Sequence, residues 1–178
     1  MQSLRLPRLA GAVSLAGAVA FAVTLGAQSP QSPQSPQTGP TAGAHHMVSA
    51  KSIVWGPAPP SLPPGPKVAV LHGDPAKDGY FVMRLKAPDG FKVPPHYHPS
   101  DENLTVLSGT FMIGTGDKPD PAGLKPLAAG DYMHMPKETR HYGTMKGETI
   151  LQISGMGPFA ITYVNPEDDP RNKKSPSQ

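Results

Sequence analysis

The sequence contains no cysteine. That excludes a disulfide framework, a thiolate zinc site, an iron–sulfur cluster and a cysteine nucleophile. A lipoprotein anchor, which needs a cysteine after its leader, is excluded with them. Charged residues are also scarce, at 16%, where about a quarter is usual. Aromatic residues make up only 6%. This shortage argues against long charged helices and coiled coils, and beyond the N-terminal segment no helical period of ten or more residues is present. The formal net charge of +3 is largely local, because residues 1–27 carry Arg5 and Arg8 and no acid. Subtracting those two leaves +1. A nearly neutral body gives little electrostatic drive toward nucleic acid, so no such partner is expected. The cations Arg171, Lys173 and Lys174 read as a solvated end.

Proline and glycine are abundant instead. The chain has 24 Pro and 19 Gly in 178 residues, together about twice their average share. The length suits one domain, and the composition suits a turn-rich β domain with irregular ends.

The N-terminus has the form of a secretory signal. Arg5 and Arg8 precede an uncharged stretch, Leu9 to Leu25, rich in Ala, Val, Leu and Gly, and small residues at Thr24, Gly26 and Ala27 offer a cleavage site. The alternative, a retained anchor, is disfavoured by the weak hydrophobicity of that stretch. The two arginines are not adjacent, which argues against a twin-arginine signal. A secreted or periplasmic protein is therefore expected, with residues 1–27 removed and no stable membrane insertion afterwards. Residues 28–47 then read as a disordered linker that opens with three Gln-Ser-Pro repeats. His45 and His46 read as part of it. Residues 48–66 form a second proline-rich run, headed by Trp55. They read as an ordered arm covering a sheet edge, with Trp55 as its apolar anchor.

From Lys67 the chain alternates short β-prone runs with turn residues. The runs are Lys67–Leu71, Tyr80–Lys86, Phe91–His98, Leu104–Leu107, Thr110–Ile113, Tyr132–Met135, His141–Met145, Thr149–Ser154 and Phe159–Val164, with a loop over 114–123. Spacing of this kind predicts a sandwich or barrel. The folded domain is expected over 48–165 and a flexible tail over 166–178.

Five of the seven histidines lie in this body. His96 and His98 flank Tyr97, so on a strand both imidazoles face one side and Tyr97 the other. Glu102 follows four residues later, and His141 arrives after Gly130 and Pro136. Three imidazoles and a carboxylate converging inside a barrel would make a first-row metal site.

These residues carry a family resemblance. Gly90-Phe-Lys-Val-Pro-Pro-His96-Tyr-His98-Pro-Ser-Asp-Glu102-Asn-Leu-Thr-Val-Leu-Ser-Gly109 is similar at every fixed position to the first cupin motif, G-x5-H-x-H-x3-E-x6-G. Gly130 to His141 resembles the second, G-x5-P-x-G-x2-H-x3-N, with Glu138 in place of its second Gly and Met145 in place of its Asn. The resemblance covers about 67–164. It implies an all-β fold, a single-domain cupin-type β barrel or jelly roll (double-stranded β-helix). It also implies one divalent transition metal held by His96, His98, Glu102 and His141. Iron, manganese, zinc, copper and nickel all accept these donors, so ligand type leaves the metal open. Single-domain cupins pair through edge strands, and the resemblance therefore implies a homodimer.

The resemblance leaves the reaction open, since one fold hosts many chemistries. A dioxygenase-like oxidoreductase acting on a small molecule comes first, because the ligand set is complete and the body is rich in Met. A non-redox isomerase or lyase and a non-catalytic ligand-binding cupin are the alternatives. His134, two residues before Pro136, reads either as a cavity-facing proton shuttle or as a solvent-facing residue. His72 reads as a turn residue and Gln152 as a candidate pocket group. Arg84 and Arg140 are the nearest cations for a phosphorylated substrate, although alternation turns Arg84 away from the apolar face. Phe81, Met83, Phe111, Met112, Met133, Met135 and Met145 read as core, which in a barrel overlaps with the pocket wall.

Overall fold

The computed structural model describes residues 45–173. The expected signal segment and all but the last three residues of the expected linker lie outside them. Among the described residues nine strands form one curled sheet. They are β1 (Gly56–Pro57), β2 (Lys67–His72), β3 (Gly79–Ala87), β4 (Lys92–Tyr97), β5 (Glu102–Thr115), β6 (Lys125–Ala128), β7 (Tyr132–Met135), β8 (His141–Gly157) and β9 (Thr162–Tyr163). Every pairing is antiparallel. No helix among these residues is long and apolar enough to cross a membrane.

The long ribbon β5–β8 organises the fold. Its one half, around Asn103–Val106 and Leu151–Ser154, is flanked by β7 on one side and by β3, β2 and β1 on the other. Its other half, around Thr110–Thr115 and His141–Lys146, is flanked by β6 and by β4 with β9. The ladder slips on either side of Ser108, between these halves. Gly109 sits at the slip with φ +74°, and a Cβ there would lie 2.5 Å from the Glu148 carbonyl and the Thr149 hydroxyl. Only glycine allows that approach. Bulged this way, the ribbon bends and brings its two halves face to face, which is the jelly-roll arrangement expected from the strand spacing.

The core lies between the two layers. Phe81, Leu85, Leu104, Val106, Leu151 and Ile153 come from one, and Val93, Phe111, Ile113, Met145 and Ile161 from the other. Alternation along β3 buries Phe81, Leu85 and Ala87 while Tyr80 stays 53% exposed. Burial of a side chain like Phe81 stabilises by about 2–3 kcal/mol.

Several local expectations are corrected. The runs on either side of Gly109 join into β5, and those on either side of Gly147 join into β8, because these glycines bend strands and do not end them. Lys125–Ala128 is a strand, β6, that the sequence hid: it contains Pro126 and buries none of its residues fully. The run Phe159–Val164 shrinks to β9. Residues 166–172, expected in a flexible tail, form two 3-10 turns. Arg171 anchors them by donating to the Ile161 carbonyl at 3.2 Å while pairing with Asp169. Met112 lies on the opposite side of β5 from Phe111 and Ile113 and is only half-buried.

The proline-rich arm lies along the sheet edge. Gly56 and Pro57 pair with Val68 and Lys67 of β2, and the Lys86 ammonium sits 4.8 Å from the centre of the half-buried Trp55 ring.

Glu138, at the position where the motif has glycine, is the only non-glycine with positive φ among the described residues, at +63°. The backbone thus keeps the left-handed conformation that the motif's glycine would adopt freely, at a cost of about 1–2 kcal/mol for an L-residue. Glu138→Gly is expected to raise stability by about 0.5–1 kcal/mol, the strain relieved less the entropy added to the unfolded chain. Chemical denaturation of the two proteins checks this. A loss of stability would mean that the Glu138 side chain makes a favourable contribution of its own.

Candidate metal centre

Four buried polar side chains meet on the inner wall. His96 lies near the end of β4, His98 just beyond it, Glu102 at the first residue of β5 and His141 at the first residue of β8. His96 and His141 are register partners across β4 and β8, and their ring centroids are 4.2 Å apart. One ring nitrogen from each of the three histidines lies within 4.8 Å of the other two. Glu102 Oε2 is 3.3 Å from His141 Nε2 and 3.8 Å from His98 Nε2.

Backbone carbonyls set the orientation of every ring. His96 Nδ1 donates to Pro94 O at 2.7 Å, His98 Nδ1 to Ala160 O at 2.7 Å, and His141 Nδ1 to Thr139 O at 2.9 Å. A carbonyl only accepts, so each Nδ1 carries the proton. In the neutral ring Nε2 then offers a free lone pair, the tautomer needed in a metal ligand.

The local sequence explains where these carbonyls come from. The ladder between β4 and β8 skips Pro94 and Pro95, which have no N–H to donate, and the Pro94 carbonyl turns to His96 instead. Thr139 belongs to the turn after Pro136, in which Glu138 N–H also donates to His98 O at 2.8 Å. Ala160 lies in the loop before β9. Its neighbour Phe159 stacks on His98, with centroids 4.1 Å apart and planes 15° from parallel.

Burial and mutual proximity shape the protonation of the group. Burial, aided by His141 and His98, lowers His96 to about 3. Burial also lowers His98. Burial opposes the charge on Glu102, yet His141, His98 and His96 outweigh it and hold the carboxyl below the usual range. On His141, burial is outweighed by Glu102, and its pKa rises. At neutral pH His96 is therefore a ready neutral donor. Glu102 Oε2 is buried and has no hydrogen-bond partner. A buried carboxylate oxygen in that condition is costly unless a cation neutralises it. Neutral imidazole nitrogens beside such an oxygen fit a divalent transition metal.

These side chains border a cavity of about 310 Å³ whose other lining residues are all apolar, Met83, Phe111, Met145 and Ile153 among them. Pro57, Pro59 and Leu62 of the arm and Pro75 also line it. That contribution has no local signature, since nothing in a proline run shows which cavity it faces.

Other candidates lie elsewhere. His134 is exposed on the outer face, where its Nδ1 is 3.1 Å from Asn103 Oδ1. Its register partner is Asn103, whereas the adjacent Met135 pairs with Glu102 and is buried, so alternation turns His134 away from the cavity. The proton-shuttle reading is thereby corrected. Gln152 accepts from Arg84 Nε at 3.2 Å and does not line the cavity. Arg140 pairs with Asp117 at the surface. Tyr97 faces away from the two histidines, as alternation requires, and His72 lies exposed at the end of β2.

The family model for the cupin domain matches residues 81–154. Germin-like protein 4-1 of Oryza sativa subsp. japonica is 36% identical over 89 residues, which cover 44% of this chain and 35% of that protein.

Residues 81–154 form a cupin domain.

The chain thus spans about a third of the length of its curated relative. Among solved structures, the polyketide cyclase RemF from Streptomyces resistomycificus superposes with a TM-score of 0.59 at 15% identity, covering 71% of this chain and 90% of that one. A candidate acetylacetone dioxygenase from Methylibium petroleiphilum superposes with a TM-score of 0.57 at 20% identity, covering 73% and 88%. An RmlC-like cupin from Shewanella frigidimarina gives 0.50 at 18% identity, covering 64% and 91%. At such identities these likenesses concern the cupin fold.

His96 titrates at about 3 in the folded protein but near 6.5 when unfolded. Between those values the unfolded state binds the extra proton, so this contribution to stability is full above about 6.5 and is lost as pH falls toward 3. The Tm of chelator-treated protein is expected to fall steadily from pH 7 to pH 4. His96→Asn, which cannot titrate, should flatten the slope. An unchanged slope in that variant would mean that the acid sensitivity originates elsewhere.

Proposed function

We propose that this protein is an exported, metal-dependent cupin that acts as a dioxygenase-like oxidoreductase on a small, largely apolar molecule. The observation that carries the reading is the donor set itself: three imidazoles whose Nδ1 atoms are held by backbone carbonyls and whose Nε2 atoms face a buried carboxylate, on the wall of an apolar cavity. In this reading Glu102 is the fourth ligand beside His96, His98 and His141. Four protein donors would hold the ion and, on a six-coordinate metal, would leave room for exchangeable ligands. When bound, a redox-active metal supplies Lewis acidity and electron transfer for dioxygen chemistry.

The chain's own residues do the rest. The carbonyls of Pro94, Thr139 and Ala160 fix the rings before any ligand arrives, so little reorganisation accompanies binding. Hydrocarbon side chains exclude water and strengthen electrostatic interactions at the donors. Among the described residues no Lys or Arg lines the cavity, which disfavours a phosphorylated substrate. Nor does the lining offer a titratable side chain besides the four donors, so recognition rests on chelation and shape. The uncharged N-terminal stretch behind Arg5 and Arg8 supports export.

Elemental analysis of mature protein from its native compartment, with His96→Ala alongside, tests the metal. About one iron, copper, manganese or nickel per chain, absent from the variant, is the expected result. Oxygen uptake should then appear with one member of a panel of catechols, flavonols, thiols and β-diketones, the last prompted by the name of one structural neighbour. Turnover without oxygen would replace this reading with a non-redox isomerase or lyase. A protein that binds no metal would be a ligand-binding cupin.

A further inference from the structure

We infer that the proline-rich arm is the selectivity wall of the cavity, and that the natural ligand is a head-to-tail molecule. A small chelating head would sit beside the three histidines and a hydrocarbon tail under Pro57, Pro59 and Leu62. The head rests on the metal reading above; the wall rests on the cavity alone.

The family model begins at residue 81, so the arm lies outside the matched segment. It is nonetheless built into the cavity: Pro57, Pro59 and Leu62 line it together with Val68 and Val70 of β2. Val70 is also 51% exposed, which places an opening at this side, beside the arm.

Three attachments hold the arm. Two residue pairs join β1 to β2. Lys86 covers Trp55. Tyr163 Oη donates to Ser61 O at 2.8 Å, and a turn from Pro59 O to Leu62 N at 3.0 Å presents Leu62. Tyr163 is at the same time the register partner of His96, with ring centroids 6.1 Å apart. It is thus a positioning residue shared by the arm and the donor cluster.

Proline makes the wall stiff, because φ is fixed, and apolar, because the N–H is missing. Away from the four donors the described residues bring no hydrogen-bonding side chain to the lining. A ligand with polar groups at both ends would leave one end unpaired, whereas a ligand with all its polar atoms at the head would not.

The test uses the full mature chain loaded with Co²⁺, titrated with catechol and with 4-tert-butylcatechol and followed by visible absorption. The wild type is expected to prefer the butyl compound by about tenfold or more, given the area of hydrocarbon buried. Leu62→Trp should cut that preference to about twofold or less. Leu62→Ala, a milder change to a half-buried residue, should lower it in the same direction. Tyr163→Phe should lower it too and speed amide hydrogen exchange at 61–62, with the cobalt spectrum retained. Equal preference across wild type and variants would overturn the inference and leave the metal reading standing.

A parallel arm uses metal-free protein and the neutral dye N-phenyl-1-naphthylamine. Binding should survive His96→Ala and weaken in Leu62→Trp. If cobalt never binds while the dye behaves this way, the metal reading and the chelating head both fall and the wall stands. Dye binding indifferent to Leu62 overturns the wall.

Discussion

Three hydrogen bonds from imidazole Nδ1 atoms to backbone carbonyls fix the site, and much of the molecule exists to deliver those carbonyls. Each bond selects one tautomer and aims one Nε2 lone pair inward. The carbonyls come from places far apart in sequence: a proline break in β4, the turn that enters β8 and the loop that leaves it. They converge only when the β5–β8 ribbon has bent and closed its two layers. The donor cluster is thus a property of the completed fold. The close approach at Gly109, which lets the ribbon bend, contributes to it without touching it.

The same closure creates an electrostatic problem. Burying a carboxylate and three imidazoles among hydrocarbon opposes every charged form. The cluster lowers that cost by keeping His96 and His98 neutral and by setting Glu102 against His141. Glu102 Oε2, although 3.3 Å from His141 Nε2, still makes no well-aligned hydrogen bond. A divalent cation would answer both features at once, supplying the missing partner for the oxygen and accepting the aligned lone pairs.

How much of this is legible in the sequence depends on whether the information is local. His96 and His98 are read correctly because alternation along one strand fixes their common side. Arg84 and Tyr97 follow by the same rule. His134 is not settled by that rule, because its side depends on register with β5: Met135 faces Glu102, so His134 must face out. Gln152 fails for a similar reason, its side chain being claimed by Arg84 across the outer face. Gly109 and Gly147 read as stops and are bends, since a glycine that terminates a strand and one that kinks it look the same in one dimension. Strand β6 is hidden by Pro126 and a short edge position. The carbonyl acceptors cannot be read from side-chain identity at all, although the pair Pro94-Pro95 does signal a break in the ladder. The stacking of Phe159 on His98 needed the loop before β9 to be placed first.

The proline content that first suggests irregular structure divides into segments with different physical consequences. In β4 it frees a carbonyl for His96. In the arm it yields a wall that neither donates hydrogen bonds nor changes shape easily. The donor end of the cavity is therefore set by backbone bonds inside the matched cupin domain and its flanking loops, and the opposite requirement, apolar shape, is met partly by a segment outside it. Side chains of the arm can vary without moving the donors, because no arm residue holds a ligand ring. The link between the two is Tyr163 of β9. Burial pushes its hydroxyl up to about 12, so it remains a protonated donor to Ser61 across the physiological range, and its ring lies against His96. Tyr163 thus touches the arm through its hydroxyl, at Ser61, and the donor cluster through its ring, at His96, so the arm bond can be removed while the ring stays in place.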